Sequence, residues 1–233
     1  MARRLDDLGM KGGLIVSCQA ASGTPLHGPV FMTAMARAAR MAGAVGIRAD
    51  APMDIAAIKA GVDLPMIGIY KIRLPTQHSR VYITPLFEAA AEIARLGCEI
   101  IALHVLPEYD RDVEALKQRI RRIKAELDVL VMADIATVSD AVFAVEQGAD
   151  LVATTSFRYA YPGERVPGPP IDLIADLVKA VPVPVIGEGS FKAPLDCARA
   201  IEAGAHAVVV GTALTAPEVV MGEFIASMKA GRG

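Results

Sequence analysis

Eight short apolar runs, separated by stretches with apolar residues at helical spacing, make up nearly the whole chain. Four of the runs follow a helix end closed by a glycine: Gly43 before Ala44-Val45-Gly46-Ile47, Gly97 before Cys98-Glu99-Ile100-Ile101, Gly148 before Ala149-Asp150-Leu151-Val152, and Gly204 before Ala205-His206-Ala207-Val208. Each glycine suits the left-handed position that ends a helix. They recur at intervals of 54, 51 and 56 residues. Three runs of a second kind lie between them, entered through a Pro or Asp turn, over 66–70, 129–133 and 185–187. An opening strand over 14–18 completes the eight. Helices are predicted in the spacers at 30–42, 86–96, 113–127, 140–147, 194–203 and 218–229.

Nearly continuous apolar strands imply a parallel sheet covered on both faces. Strands alternating with helices imply α/β architecture with right-handed crossovers. Eight units and 233 residues match one (β/α)8 TIM barrel, for which about 250 residues is typical. A single barrel domain over 1–233 is therefore expected. No Gly-x-Gly-x-x-Gly turn follows the first strand, which weighs against a doubly wound dinucleotide fold. Two connections are long, 72–80 and 158–170. The second, with Tyr159, Pro162, Gly163, Pro167 and Gly168, reads as a lid or partner contact, and a homo-oligomer, a dimer, is expected from it.

Composition adds exclusions. Hydrophobic residues reach 53% with no Trp and 10 Met, consistent with a large aliphatic core. A formal charge of -2 argues against nucleic acid or a membrane surface as a general partner. No apolar run approaches the roughly 18 residues of a membrane span. Cys18, Cys98 and Cys197 are odd in number and far apart, so no disulfide framework is expected. The expected setting is the cytoplasm.

The chemistry is concentrated where the strands end. In order these positions are Cys18-Gln19, Arg48, Lys71, His104, Asp134, Thr154-Thr155, Glu188 and Gly211-Thr212. Barrel enzymes build their sites from C-terminal strand ends. Charges placed directly after buried strands need a ligand or a partner at the mouth. Lys71 and Glu188 close the third and seventh strands, four apart among eight, and should face each other. Such a pair can take a proton from one face of a carbon and return one to the other. A Lys ringed by apolar strands and Arg48 would serve as the base, and Glu188 as the conjugate acid or as an orienting group. A Lys–Glu ion pair at the rim is the competing reading.

Arg48 and Gln19 read as donors that position substrate, and pairing of Arg48 with Asp134 is the alternative. Asp134 can otherwise hold Lys71. His104, Thr154, Thr155 and Tyr159 complete the candidate substrate-binding set. Gly189, Ser190, Gly211 and Thr212, after the seventh and eighth strands, are the candidate anion or phosphate seat. His206 lies at the opposite, stability face. His104 and Asp134 are too few for a metal site, and neither metal nor cofactor is expected. These residues leave three activities open: an epimerase, another sugar isomerase or lyase, and a non-catalytic sugar-binding barrel.

Several runs resemble the signatures of N-acylmannosamine-6-phosphate 2-epimerases: Gly13-Leu14-Ile15-Val16-Ser17-Cys18-Gln19-Ala20, Gly43-Ala44-Val45-Gly46-Ile47-Arg48-Ala49, Leu64-Pro65-Met66-Ile67-Gly68-Ile69-Tyr70-Lys71, Met132-Ala133-Asp134-Ile135-Ala136-Thr137, Thr154-Thr155, Glu188-Gly189 and His206-Ala207-Val208-Val209-Val210-Gly211. The resemblance implies cofactor-free epimerisation at C2 of an N-acetylated amino sugar phosphate, in bacterial sialic acid catabolism. It assigns catalysis to Lys71 and Glu188 and substrate contacts to Gln19 and Arg48. The chain differs from the family pattern at His104, at Ile72-Arg73-Leu74 and at Ala216. These differences leave the proton-transfer pair intact.

Overall fold

A computed structural model describes residues 5–73, 81–161 and 168–230. Ten strands and nine helices are assigned among the described residues. They run β1 (Leu14–Cys18), α1 (Pro29–Met41), β2 (Gly46–Asp50), α2 (Pro52–Gly61), β3 (Met66–Ile69), β4 (Lys71–Arg73), β5 (Val81–Ile83), α3 (Phe87–Arg95), β6 (Ile100–His104), α4 (Val113–Glu126), β7 (Leu130–Asp134), α5 (Val138–Glu146), β8 (Leu151–Ala153), α6 (Ile171–Ala180), β9 (Val185–Glu188), α7 (Pro194–Glu202), β10 (Ala207–Val210), α8 (Thr212–Thr215) and α9 (Pro217–Ala230). A 3₁₀ helix spans Thr154–Ala160.

Eight strands close a parallel barrel in the order β1-β2-β3-β6-β7-β8-β9-β10, with β10 back on β1. The expected (β/α)8 barrel is the fold. The four repeat glycines have φ of 86°, 91°, 103° and 101°, the left-handed region their helix-ending role requires. All six expected helices form, within two residues at each end. Helices α2 and α6 fill the two remaining gaps. α2 escapes the pattern because only Ile55 and Ile58 mark its buried stripe, among small residues. The third connection is not a plain loop: β4 and β5 pair as an antiparallel hairpin outside the barrel sheet. Residues 74–80 of that connection and 162–167 of the later one lie outside the described residues.

Strand pleating sorts side chains into two cores. Facing the helices are Val16, Cys18, Ile47, Ala49, Ile101, Leu103, Val131, Ala133, Val152 and Val208. The alternate positions, Ile15, Ile67, Ile69, Ile100, Ala102, Leu130, Met132, Leu151, Ala153, Ile186, Ala207 and Val209, fill the lumen, joined by Leu5 and Met10 from ahead of β1. Continuing this inward parity to the strand ends reaches Ser17, Arg48, Asp50, His104, Asp134, Thr155, Glu188 and Gly211. The period of two that packs the lumen with aliphatic groups thus delivers polar groups to its mouth.

Candidate active site

Arg48 is the hub. It is 1% exposed, and its two terminal nitrogens meet Asp134 as a fork, Nη1 to Oδ1 at 3.0 Å and Nη2 to Oδ2 at 2.6 Å. Nη1 also donates to Glu188 Oε2 at 2.8 Å. Bidentate geometry of this kind fixes both partners. Burial works against the guanidinium charge, but Asp134 and Glu188 outweigh it and raise the Arg48 pKa. The pairing of Arg48 with Asp134 is thus present, and its Nε–H has no partner among the described residues. Asp134 accordingly holds Arg48 and not Lys71, because β2 and β7 bring fork and carboxylate together across the lumen.

Thr155 closes the cluster. Its Oγ1 lies 2.6 Å from Asp134 Oδ1 and 3.0 Å from Glu188 Oε2. A hydroxyl has one proton, so it donates to one carboxylate at a time, and donation to Glu188 favours the ionised form of that group. Glu188 is also the carboxyl most affected by burial. Burial pushes its pKa up to about 7, Asp134 adds to the rise, and Arg48, the Thr155 hydrogen bond and Lys71 pull it back. Its second oxygen, Oε1, has no partner among the described residues. Thr154 has the opposite parity to Thr155 and holds the Glu188 backbone, donating to its carbonyl at 2.8 Å and accepting from its N–H at 2.9 Å.

Lys71 stands on β4, just beyond the barrel sheet, with its side chain 37% exposed. Its Nζ is 2.5 Å from Gln19 Oε1 and 3.7 Å from Asp50 Oδ2, and Gln19 in turn donates to Ser17 Oγ at 2.7 Å. Asp50 also accepts from the Lys71 backbone N–H at 2.9 Å. The expected apolar surroundings are thus replaced by an amide and a carboxylate. The reason is that β2 runs on past Arg48 to Asp50, so the strand ends in two inward charges. The Arg48-Ala49-Asp50 alternation was the available signal. Lys71 still acts electrostatically on both Glu188 and His104.

His104 sits between Tyr82 and Tyr159, with edge-to-face centroid distances of 6.3 and 5.8 Å. Burial pushes its pKa down to about 4, with Asp134 opposing and Arg48 and Lys71 assisting. Its Nδ1 accepts from the Ile83 N–H at 3.3 Å, so the neutral ring carries its proton on Nε2. Tyr159 packs edge-on to Tyr109, whose hydroxyl donates to the Tyr159 carbonyl at 2.8 Å. His206 lies at the other end, its backbone tied to Val185 and Gly12.

At the candidate anion seat, Gly189 and Ser190 follow β9 with φ of 107° and 58°, and Gly211 precedes the short helix α8. The backbone N–H groups of Gly189, Ser190, Gly211, Thr212 and Ala213 find no acceptor among the described residues. Strands β9 and β10 are hydrogen-bonded neighbours, so the two loops lie side by side beyond Glu188.

Residues 32–230 match the family model described as "Putative N-acetylmannosamine-6-phosphate epimerase". A relative from Thermosynechococcus vestitus and one from Cutibacterium acnes carry the corresponding 2-epimerase name. The first is 41% identical over 95% of each chain, and the second is 42% identical over 92% of this chain and 93% of its own. The structure of the N-acetylmannosamine-6-phosphate 2-epimerase from Clostridium perfringens superposes with a TM-score of 0.85 at 36% identity, covering 97% of both chains.

Proposed function

The chain belongs to the N-acetylmannosamine-6-phosphate 2-epimerase family, and on that premise we propose that it interconverts N-acetylmannosamine-6-phosphate and N-acetylglucosamine-6-phosphate by proton transfer between C2, Glu188 and Lys71, without a cofactor. The observation that carries this reading is a carboxyl group with one uncommitted oxygen and a pKa raised to about 7, within the field of a lysine that stands just beyond β3, the strand four places from β9 around the barrel.

The reaction uses the open-chain sugar, whose aldehyde acidifies the neighbouring C2–H. With Glu188 ionised and Lys71 protonated, Glu188 takes the C2 proton, and the electron pair moves onto the C1 oxygen. The resulting enolate needs a nearby positive charge. Lys71 supplies it, its side chain being accessible where Arg48 is buried against Asp134 and Glu188. Lys71 then returns a proton to the opposite face of C2 as the electrons fall back. The pair ends as neutral lysine and protonated glutamate, the state from which the reverse reaction starts, so the proton count is conserved. A carboxyl with a pKa near the working pH is suited to both roles. Thr155 and Arg48 fix one oxygen of Glu188 and leave the other to the substrate. His104 offers its Nε2–H, and Tyr159 its ring, to the sugar. Gly189, Ser190, Gly211 and Thr212 seat the 6-phosphate on uncommitted N–H groups.

Proton NMR in heavy water tests the reaction. Either sugar phosphate should yield the same epimer mixture with deuterium at C2. Product rearranged elsewhere with C2 configuration retained, or no turnover, would refute it. The same reading includes a homo-oligomer, supported by the exposed Met221, Phe224, Ile225 and Met228 of α9. A monomer by light scattering at micromolar concentration would contradict that part.

A further inference from the structure

The loop after β9 is contacted by a segment of which the proton-transfer step uses only one end. The 3₁₀ helix Thr154–Ala160 is fastened to it at three points. Thr154 holds the Glu188 backbone through two hydrogen bonds. The Phe157 ring lies against Gly189 so closely that a Cβ there would sit 2.6 Å from Cε1, which together with φ of 107° leaves room for glycine alone. Arg158 Nη2 donates to Ser190 Oγ at 3.1 Å. Ser190 is itself a non-glycine at positive φ, a conformation that persists only where its surroundings hold it.

This fastening brings a cation to the row of free N–H groups. The loop over 211–217 contains no Lys, Arg or His. Lys192, the nearest cation along the chain after Ser190, is paired with Glu223. Arg158 forms no ion pair among the described residues. It is exposed, and the partner that positions it is a neutral hydroxyl, which leaves its charge and its remaining N–H groups uncommitted. A phosphate monoester carries close to two negative charges and three acceptor oxygens. Backbone donors alone hydrogen-bond such a group without neutralising it. A guanidinium beside them supplies both charge and a planar fork.

We propose that Arg158, docked on Ser190, is the specificity residue that selects a phosphorylated sugar by clamping its phosphate against the Gly189-Ser190 and Gly211-Ala213 loops. This rests on the phosphate seat assigned above. Ser190 then acts as a positioning residue for the guanidinium, and Phe157 as the wedge that sets the height of the helix over the loop.

Arg158→Ala and Arg158→Lys in the full chain provide the test, with N-acetylmannosamine-6-phosphate as substrate and inorganic phosphate as a calorimetric probe. Loss of a charge-assisted contact predicts that Arg158→Ala raises KM about 10- to 100-fold and weakens phosphate binding by a similar factor. kcat should stay within about threefold, the mark of lost binding common to ground and transition state. Arg158→Lys should recover part of both losses, and the melting temperature should not move. Unchanged KM and phosphate affinity in Arg158→Ala would overturn the assignment while leaving the epimerase reading intact, as would a fall in kcat with KM unchanged. Wild-type protein that binds phosphate through Arg158 but turns over neither epimer would do the reverse.

Discussion

Glu188 and Lys71 interact electrostatically but stand on opposite kinds of support. Glu188 ends a barrel strand, is 13% exposed, and shares one oxygen among Arg48 and Thr155 inside a cluster that also fixes Asp134. Lys71 starts a hairpin outside the barrel sheet, is 37% exposed, and meets an amide and a carboxylate. The carboxyl is therefore tuned by burial, whereas the Lys71 side chain reaches solvent. On the proposed mechanism the difference would divide the labour: the buried group would take and release the C2 proton, and the exposed group would supply positive charge and a proton from the opposite side.

The largest test of this contrast compares the supports themselves. Asp134→Ala leaves Arg48 buried with half its counter-charge, and should cost about 3–5 kcal/mol of stability. Lys71→Ala removes an exposed side chain and should change stability by no more than about 0.5 kcal/mol. Urea unfolding of both variants measures the gap, and equal losses would erase the distinction.

The pH dependence sharpens it. Because burial raises the Glu188 pKa above its ordinary 4.5 to about 7, the folded protein binds that proton more tightly than the unfolded chain. Its contribution is full below 4.5 and is lost as pH rises through about 7. Wild type should therefore lose stability relative to Glu188→Gln as pH rises across that window. kcat/KM should rise through the same pH as Glu188 ionises. His104, held down to about 4, is neutral throughout, so His104→Asn should keep that limb in place. A limb that moves with His104 would reassign the titrating group.

Thr155→Val is a smaller perturbation. The Thr155 hydrogen bond lowers the Glu188 pKa, so its loss should move the activity limb toward alkaline pH. One lost bond to a charged group predicts a fall in kcat/KM on the order of tenfold. Gln19→Ala, which touches only the Lys71 side, should lower kcat/KM by less and leave the limb where it is. If both variants shift the limb equally, the two halves are not independent.

The barrel and the strand-end positions were legible because both follow from periods the chain repeats. Glycine-closed helices gave the strand count, and inward parity carried Arg48, His104, Asp134 and Glu188 to the mouth. What could not be read were the pairings among them. Whether Arg48 meets substrate or Asp134 depends on side chains 86 residues apart meeting across the lumen. The hairpin that carries Lys71 was hidden because a three-residue strand has too little pattern to stand out. Asp50 is hidden because the apolar run ends at Arg48, though the alternation of the strand continues for two residues. Arg158 lay in a stretch without strand or helix periodicity, and only the fold brings it to Ser190.

The central claim, that protons move between C2 and groups on two sides of it, is tested most directly by C2–H exchange in heavy water with each purified epimer and the variants Lys71→Ala and Glu188→Gln. The account predicts that each variant loses exchange with the epimer whose proton its missing group removes, while the other epimer still exchanges, more slowly in Lys71→Ala because the enolate loses its counter-charge. Wild-type exchange of both epimers in either variant would contradict it.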